Sequence, residues 1–254
     1  PRWPFDKFKS GDRHLGTQMK ATGEVMAIGR SFIEALQKAI RGLELKPDLP
    51  PSTEWDKYLQ KADDRRIFII EETFRAGYSV EKVANLTKIS KPFLEEMKNA
   101  LARLLISEKS PSWLSELKGL GFSDQQIANQ WQCPEQDIRK LRKEWQITPG
   151  YKRVDTCAGQ LRTNSPYFYS TYQGIDEPLD KQGESVVVIG SGPIRIGQGL
   201  EFDYATVHAI KAIRKLGYRA VIINNNPETV STDFDISDAL YFEPLTLGDV
   251  LPIL

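Results

Sequence analysis

Two patterns of apolar positions divide this chain of 254 residues. From about residue 46 to 150, apolar residues recur at helical spacing and no alternating strand pattern interrupts them. After residue 184, short apolar runs flank an amphipathic helix, predicting strands at 185–189, 219–223 and 238–242 and a helix at 202–216. Strand–helix–strand alternation at this spacing predicts a parallel α/β sheet.

The helical region predicts seven short helices, near 53–61, 64–75, 80–86, 91–107, 111–118, 124–131 and 135–145. Candidate boundary residues are serine N-caps, first-turn prolines and glycines in C-terminal turns: Ser79, Ser110, Ser123, Pro111, Pro134, Gly77 and Gly121. Short helices joined by short loops predict a compact all-α domain.

The N-terminal region predicts one strand and one helix. Residues 24–28 have a strand pattern, and Ser31 with Glu34 predicts a capping box. The helix that follows has an apolar stripe at Phe32, Leu36, Ala39, Ile40 and Leu43. A proline-rich stretch at 46–51 ends it.

Composition excludes several classes of protein. Lysine plus arginine equals aspartate plus glutamate at 34 each, which argues against a nucleic-acid partner or an anionic membrane. No apolar run is long enough to span a bilayer. Cys133 and Cys157 lack metal-ligand spacing, so we expect no metal site, no disulfide framework and a cytoplasmic location.

A glycine-rich loop at 190–199 joins the first predicted strand of the α/β region to its helix, where phosphates often bind. Pro193 removes an N–H donor, and the second strand ends in three asparagines rather than an acid. No Gly-Lys-Ser/Thr follows the loop. Both dinucleotide and Walker-type binding are therefore disfavoured, and Glu201 and Asp203 would repel a phosphate.

Longer motifs carry a resemblance to a known family. They are GPIRIGQGLEFDY at 192–204, NPETVSTD at 226–233, LYFEPLTL at 240–247, QMKATGEVMAIGR at 18–30 and KRVDTCA at 152–158. Together they resemble the large subunit of carbamoyl phosphate synthetase. We expect the chain to be a central piece of such a subunit, cut within folded regions at both ends.

The resemblance implies four regions. Residues 1–45 would be the tail of a first ATP-grasp domain, with its last strand and helix, and 46–150 an all-α oligomerization domain. Residues 151–183 would be a connector, and 184–254 a truncated, Rossmann-like pre-ATP-grasp domain with a parallel α/β sheet.

The resemblance also implies the reaction of the parent enzyme. That ligase makes carbamoyl phosphate from bicarbonate, glutamine-derived ammonia and MgATP, with potassium as a further cofactor, for arginine and pyrimidine synthesis. Expected partners are a glutaminase small subunit, the remaining ATP-grasp domains and further copies through the helical domain. The ATP-site residues would lie outside this chain, so we expect no catalytic residue and no cofactor within it.

The family passes carbamate between its active sites through an internal tunnel. By motif, the tunnel-lining positions are Glu24, Gly199, Glu201 and Glu228: a glycine leaves space, and buried carboxyls with raised pKa values would hydrogen-bond the passing molecule. The alternative for the glutamates is capping of helix starts and loops. Arg30 is a candidate contact to phosphates of the first ATP site, or else the partner of a nearby acid.

Two other functions compete. Residues 117–143 resemble a helix-turn-helix with basic residues at Arg139, Lys140, Arg142 and Lys143, but acids begin the second helix, which disfavours DNA binding. A pure assembly module is the other alternative, with Trp113, Trp131 and Trp145 as exposed subunit contacts or as ordinary core residues.

Overall fold

The computed structural model describes residues 1–106, 108–161, 164–174, 183–199 and 201–254. Within these ranges the chain divides into two units. The first unit contains residues 3–21 and 44–108, and the second contains residues 1–2, 22–43 and 109–254.

The first unit is built on four helices, α2 to α5: Trp55–Gln60, Arg66–Arg75, Val80–Thr87 and Lys91–Leu105. Their apolar faces meet in one core around Leu59, Ile69, Val83 and Leu94, each fully buried. The first four predicted helices are confirmed with small shifts at their ends. Residue 107, the predicted end of the fourth, lies outside the described residues.

The second unit contains α1 (Phe32–Gly42) and three consecutive helices, α6 to α8: Pro111–Gly119, Asp124–Trp131 and Glu135–Glu144. The Ser110 and Ser123 side chains cap α6 and α7 as predicted. Ser123 and Gln126 form a complete capping box. Gly121 has φ +88° and a Cβ there would lie 2.8 Å from Cα of Glu34, so only glycine fits where the end of α6 meets α1.

The predicted capping box of α1 forms only in part. Ser31 Oγ accepts a hydrogen bond from the main-chain N–H of Glu34 at 3.2 Å. The Glu34 carboxylate, however, accepts from the N–H of Arg30 at 2.7 Å rather than from Ser31. The carboxylate therefore stabilises the approach to the helix, one residue earlier than the capping-box pattern places it.

A five-stranded sheet completes the second unit, in the order β1-β2-β5-β4-β3. The strands β1 to β5 are Gly150–Arg153, Tyr167–Thr171, Ser185–Ile189, Arg219–Asn224 and Ala239–Phe242. Strands β2, β5, β4 and β3 are parallel, and β1 is antiparallel to β2. Helix α9 (Glu201–Lys215) lies between β3 and β4 in sequence, and α10 (Leu247–Val250) follows β5.

The structure confirms a helical part and an α/β part, and it corrects one detail of the sheet. The sheet is mixed rather than purely parallel, because the predicted connector at 151–183 supplies β1 and β2. Aromatic rings explain why these segments join the sheet: Phe168 stacks on Tyr241, and Tyr151 meets the same ring edge-on. Residues 162–163 and 175–182 of that connector lie outside the described residues.

Residues 24–28 do not form the predicted strand. They run as an extended segment whose Met26 N–H donates to the carbonyl of Asn225 at 2.7 Å, just beyond the end of β4. A single main-chain bond of this kind is too little to make a strand, which explains why the apolar pattern misled.

Trp131 is only 3% exposed, and Trp113 and Trp145 are half-buried. Of the two alternatives, Trp131 is thus an ordinary core residue rather than an exposed subunit contact, and for the half-buried Trp113 and Trp145 a subunit contact stays a prediction. None of the helices in the described ranges has the length and apolarity needed to cross a membrane.

Candidate functional site

The parallel strands β3, β4 and β5 end on one side of the sheet, here called the carboxyl edge. In open α/β sheets, ligands usually bind in the crevice outside this edge. The glycine-rich loop follows β3 at this edge, and Glu243 follows β5. Strand β4 ends at Asn224, and Asn225 and Asn226 come directly after it. The geometry of this edge therefore decides what the site can bind.

The asparagines hold the glycine-rich loop in place. Asn224 Oδ1 accepts hydrogen bonds from the N–H groups of Gly192 at 3.1 Å and Asn225 at 2.9 Å. Asn226 Nδ2 donates to the carbonyl of Gly192 at 3.0 Å. A Cβ at Gly190 would lie 2.5 Å from the amide carbon of Asn224, so glycine is required for this approach. The loop N–H of Gly192 is thus committed to the protein rather than to a phosphate.

The extended segment 22–28 packs against the same loop. A Cβ at Gly23 would lie 2.6 Å from both the main-chain nitrogen and oxygen of Ile194. Met26 bonds to Asn225 as described above. The N-terminal segment therefore packs directly on the glycine-rich loop and on the end of β4.

Two of the predicted tunnel residues, Glu24 and Glu228, meet beside this loop. Burial raises the pKa of the Glu24 carboxyl, and the hydrogen bond that protonated Glu24 donates to Glu228, together with charge repulsion from Glu228, raises this pKa further. Glu228 is positioned by its N–H, which donates to Asn226 Oδ1 at 3.0 Å. The loop that carries it is tied to α9, since Ser231 N–H donates to Asp203 Oδ2 at 3.0 Å.

The other two predicted residues, Gly199 and Glu201, form a second pair where α9 begins. Glu201 Oε1 accepts from the N–H of Gly199 at 3.1 Å, so this carboxylate fixes the loop just before the helix. Leu200 between them lies outside the described residues. The expected burial of the glutamates holds only in part, because Glu24 is half-buried whereas Glu201 and Glu228 are exposed.

Arg30, the predicted phosphate contact, is exposed. Its Nη1 lies 3.3 Å from the position that a Cβ at Gly174 would occupy. The side chain therefore lies over the turn after β2, and its role at a phosphate remains a prediction.

The polar face of α1 covers the rest of the carboxyl edge. Glu34, Gln37, Lys38 and Gly42 are buried, whereas the predicted apolar stripe is only half-buried. Lys38 Nζ donates to Glu243 Oε1 at 2.9 Å, and their side chains are 4% and 0% exposed. Asn225 Nδ2 donates to the carbonyl of Gly42 at 3.2 Å. Helix α1 is thus bonded directly to the residues that follow β4 and β5 at this edge.

Arg41 makes the second ion pair of this face. Its Nε and Nη2 each donate to Asp249 at 2.8 Å, and its Nη1 donates to the carbonyl of Gly121 at 2.7 Å. Burial acts to raise the pKa of Asp249, but Arg41 and a hydrogen bond from Thr246 outweigh it and lower that pKa to about 2. Asp249 therefore stays ionised and ties α10 to α1.

A third buried ion cluster lies within the segment that resembled a helix-turn-helix. Asp124 accepts from Lys118 at 2.9 Å and from Arg142 at 2.7 Å, with all three side chains buried. Burial lowers the pKa of Lys118 to about 8 despite the attraction of Asp124. Of the other basic residues, Arg139 pairs with Glu135 at 2.9 Å. Of the four basic residues of α8, only Arg142 is thus directed into the protein, whereas Lys140 and Lys143 are exposed.

Comparison with protein families gives two matches. Residues 24–146 match the model described as the oligomerisation domain of the carbamoyl-phosphate synthetase large chain. Residues 182–254 match the model described as the carbamoyl phosphate synthase preATP-grasp domain. The chain belongs to the carbamoyl phosphate synthetase large-chain family. In its full-length form this family is a ligase, so the predicted family and the coarse role are confirmed.

Sequence reasoning missed the buried charges on α1. The available signal was the spacing of Glu34, Gln37, Lys38 and Arg41, which places four long polar side chains on one helical face. Such a face normally predicts solvent exposure. Here it is buried because carboxylates near the end of the chain, Glu243 and Asp249, meet it.

Proposed function

We propose that this chain supplies assembly and channelling to a carbamoyl phosphate synthetase large chain. In the parent ligase, one half forms carbamate from bicarbonate, ammonia and MgATP, and the other phosphorylates the carbamate with a further ATP. The product serves arginine and pyrimidine synthesis in the cytoplasm. A glutaminase small subunit supplies the ammonia, and potassium accompanies MgATP in the full-length enzyme.

The observation that carries the channelling proposal is the approach of Glu24 to Glu228 beside the glycine-rich loop. One carboxyl comes from the N-terminal segment and the other from the loop after β4, so the pair lies where two regions of the chain meet. Two carboxyl groups at one place offer several acceptor oxygens. These acceptors suit the O–H and N–H₂ donors of carbamic acid.

Variants of this pair in the full-length enzyme test the proposal. In Glu24→Gln combined with Glu228→Gln, we expect bicarbonate-dependent ATP hydrolysis to continue while less carbamoyl phosphate forms, because carbamate escapes to water. Glu95→Gln, at an exposed position on α5, is the matched control. An unchanged ratio of ATP consumed to product formed in the double variant would reject the role of the pair.

The chain itself should not bind MgATP. The loop N–H of Gly192 donates to Asn224, and Lys38 and Arg41 donate to carboxylates. These donors are therefore already used within the protein and are not offered to a phosphate. Calorimetric titration of the chain with MgATP should show no binding heat, and micromolar affinity would contradict this part of the proposal.

Self-association is the other function that we propose, on the basis of the match to an oligomerisation domain. Sedimentation velocity of the chain over a range of concentrations should show a mass-action shift from monomer to a larger species. A strict monomer at high concentration would contradict the assembly role.

A further inference from the structure

Lys38 ties three separate parts of the second unit to one ammonium group. Its Nζ donates to Glu243 Oε1 at 2.9 Å, to the carbonyl of Ser170 at 2.6 Å and to the carbonyl of Ile28 at 3.2 Å. An ammonium has three N–H donors, so all of them are used. The group therefore joins β2, the end of β5 and the extended segment that precedes α1.

The acceptor on Ile28 gives this arrangement a consequence for the proposed channel. Ile28 ends the segment that carries Glu24, and Met26 in its middle is held by Asn225. Residues 24–28 form no regular strand. Met26 and Ile28 pack against the core around Ile222, and beyond that packing the segment is held by these few hydrogen bonds. Among them, the bond from Lys38 comes from a side chain that is itself 4% exposed and fixed by an ion pair.

Glu243 fixes Lys38 in turn. The Glu243 carboxylate is fully buried, and Oε1 accepts from both Lys38 and the N–H of Ser170. Its other oxygen, Oε2, is buried without a hydrogen-bond partner among the described residues. The carboxylate therefore relies on Lys38 for charge compensation, and neither member of the pair is free to move alone.

We propose that Lys38 and Glu243 are positioning residues that hold Glu24 against Glu228 and so keep the channel wall closed. This inference rests on the proposed function and deepens it. Neither residue contacts the passing molecule in this account. Lys38 acts through the Ile28 carbonyl, and Glu243 acts through Lys38.

A second ion pair on the same helix provides a matched comparison. Arg41 and Asp249 also join α1 to the C-terminal part of the unit, but their bonds go to Thr246 and to the carbonyl of Gly121 rather than to residues 24–28. Loss of this pair weakens the attachment of α1 without releasing the Ile28 carbonyl. Comparing variants of the two ion pairs therefore distinguishes an effect on the position of residues 24–28 from a general effect on stability.

The experiment measures ATP consumed per carbamoyl phosphate formed in the full-length enzyme. The variants are Lys38→Met with Glu243→Leu, and Arg41→Met with Asp249→Leu, because replacing both members of a buried pair avoids an uncompensated charge. We expect the ratio to rise severalfold in the first double variant and to stay at the wild-type value in the second. The conservative variant Lys38→Arg, which keeps a positively charged donor to Glu243, should have a ratio close to that of the wild type.

The outcomes are distinguishable. An unchanged ratio in the first double variant, with soluble and folded enzyme by circular dichroism, overturns the positioning role. An equal rise in both double variants also overturns it, since α1 attachment alone would then account for the leak. If the Glu24 and Glu228 variants leak and the Lys38 variant does not, the proposed function stands and only this inference fails.

Discussion

Arg41 binds Asp249 through two hydrogen bonds of 2.8 Å, and the two side chains are 13% and 12% exposed. Such a bidentate pair is among the stronger polar contacts in proteins. Removing one member leaves the other buried without compensation. In Arg41→Met we expect the free energy of unfolding of the second unit to fall by about 3 kcal/mol. Urea denaturation of wild type and variant measures this difference.

Arg75→Met is the control for that variant. Arg75 pairs with Glu71 at 2.8 Å one helical turn away, but its side chain is 32% exposed. Surface pairs of this kind are screened by water, so the loss should stay below about 0.5 kcal/mol. Equal effects of the two substitutions would show that burial of the Arg41 pair contributes nothing.

The pH dependence of stability should reveal Lys118. Its pKa is about 8 in the folded protein, below the usual 10.5, because burial disfavours the charged form. Between these values the unfolded chain binds more protons at this site, so this lysine makes the free energy of unfolding increase as pH rises from 8 to 10.5. Lys118→Met should show a flatter dependence over that window in denaturation at several pH values. Identical slopes for wild type and variant would contradict the lowered pKa.

Gly23→Ala should disturb the contact between the N-terminal segment and the glycine-rich loop. The added Cβ would lie 2.6 Å from main-chain atoms of Ile194, which cannot rotate away as a side chain would. We expect a loss of about 1–3 kcal/mol in the free energy of unfolding. Gly16→Ala is the control, since a Cβ there meets nothing within 4 Å, and its effect should remain within about 0.5 kcal/mol.

Duplex DNA should not bind with high affinity. Arg142 is buried against Asp124 and Arg139 pairs with Glu135, so two of the four basic groups of α8 are engaged within the chain, and acidic residues begin the helix. Fluorescence anisotropy with a labelled duplex at low salt should show no saturable binding at nanomolar concentrations. Tight binding that weakens steeply with added salt would favour the helix-turn-helix alternative.

Local signals in the sequence predicted the helices well. Ser79, Ser110 and Ser123 cap helices as expected, because a cap depends on atoms within three residues. The family motifs singled out both Glu24 and Glu228, which interact in the structure, while their place in a tunnel stays a prediction. Both kinds of feature are encoded locally, either by residues within one helical turn or by contiguous sequence motifs.

Features that depend on distant partners were not predictable in the same way. β1 and β2 have weak strand patterns, and their place in the sheet follows from pairing between residues such as Phe168 and Tyr241. The buried face of α1 depends on Glu243, which is 205 positions from Lys38. No periodicity within one segment reveals a partner so far along the chain.

Gly199 provides the most direct test of the channel. It is half-buried and its φ lies outside the left-handed region. The three atoms nearest to a Cβ there all belong to the Glu201 carboxylate, which can rotate away, so the backbone tolerates a side chain at this position. We would measure ATP hydrolysis and carbamoyl phosphate formation together in full-length Gly199→Leu enzyme. The account predicts that bicarbonate-dependent hydrolysis persists while product formation falls, because the side chain obstructs the passage. Parallel loss of both activities, or unchanged product formation, would contradict it.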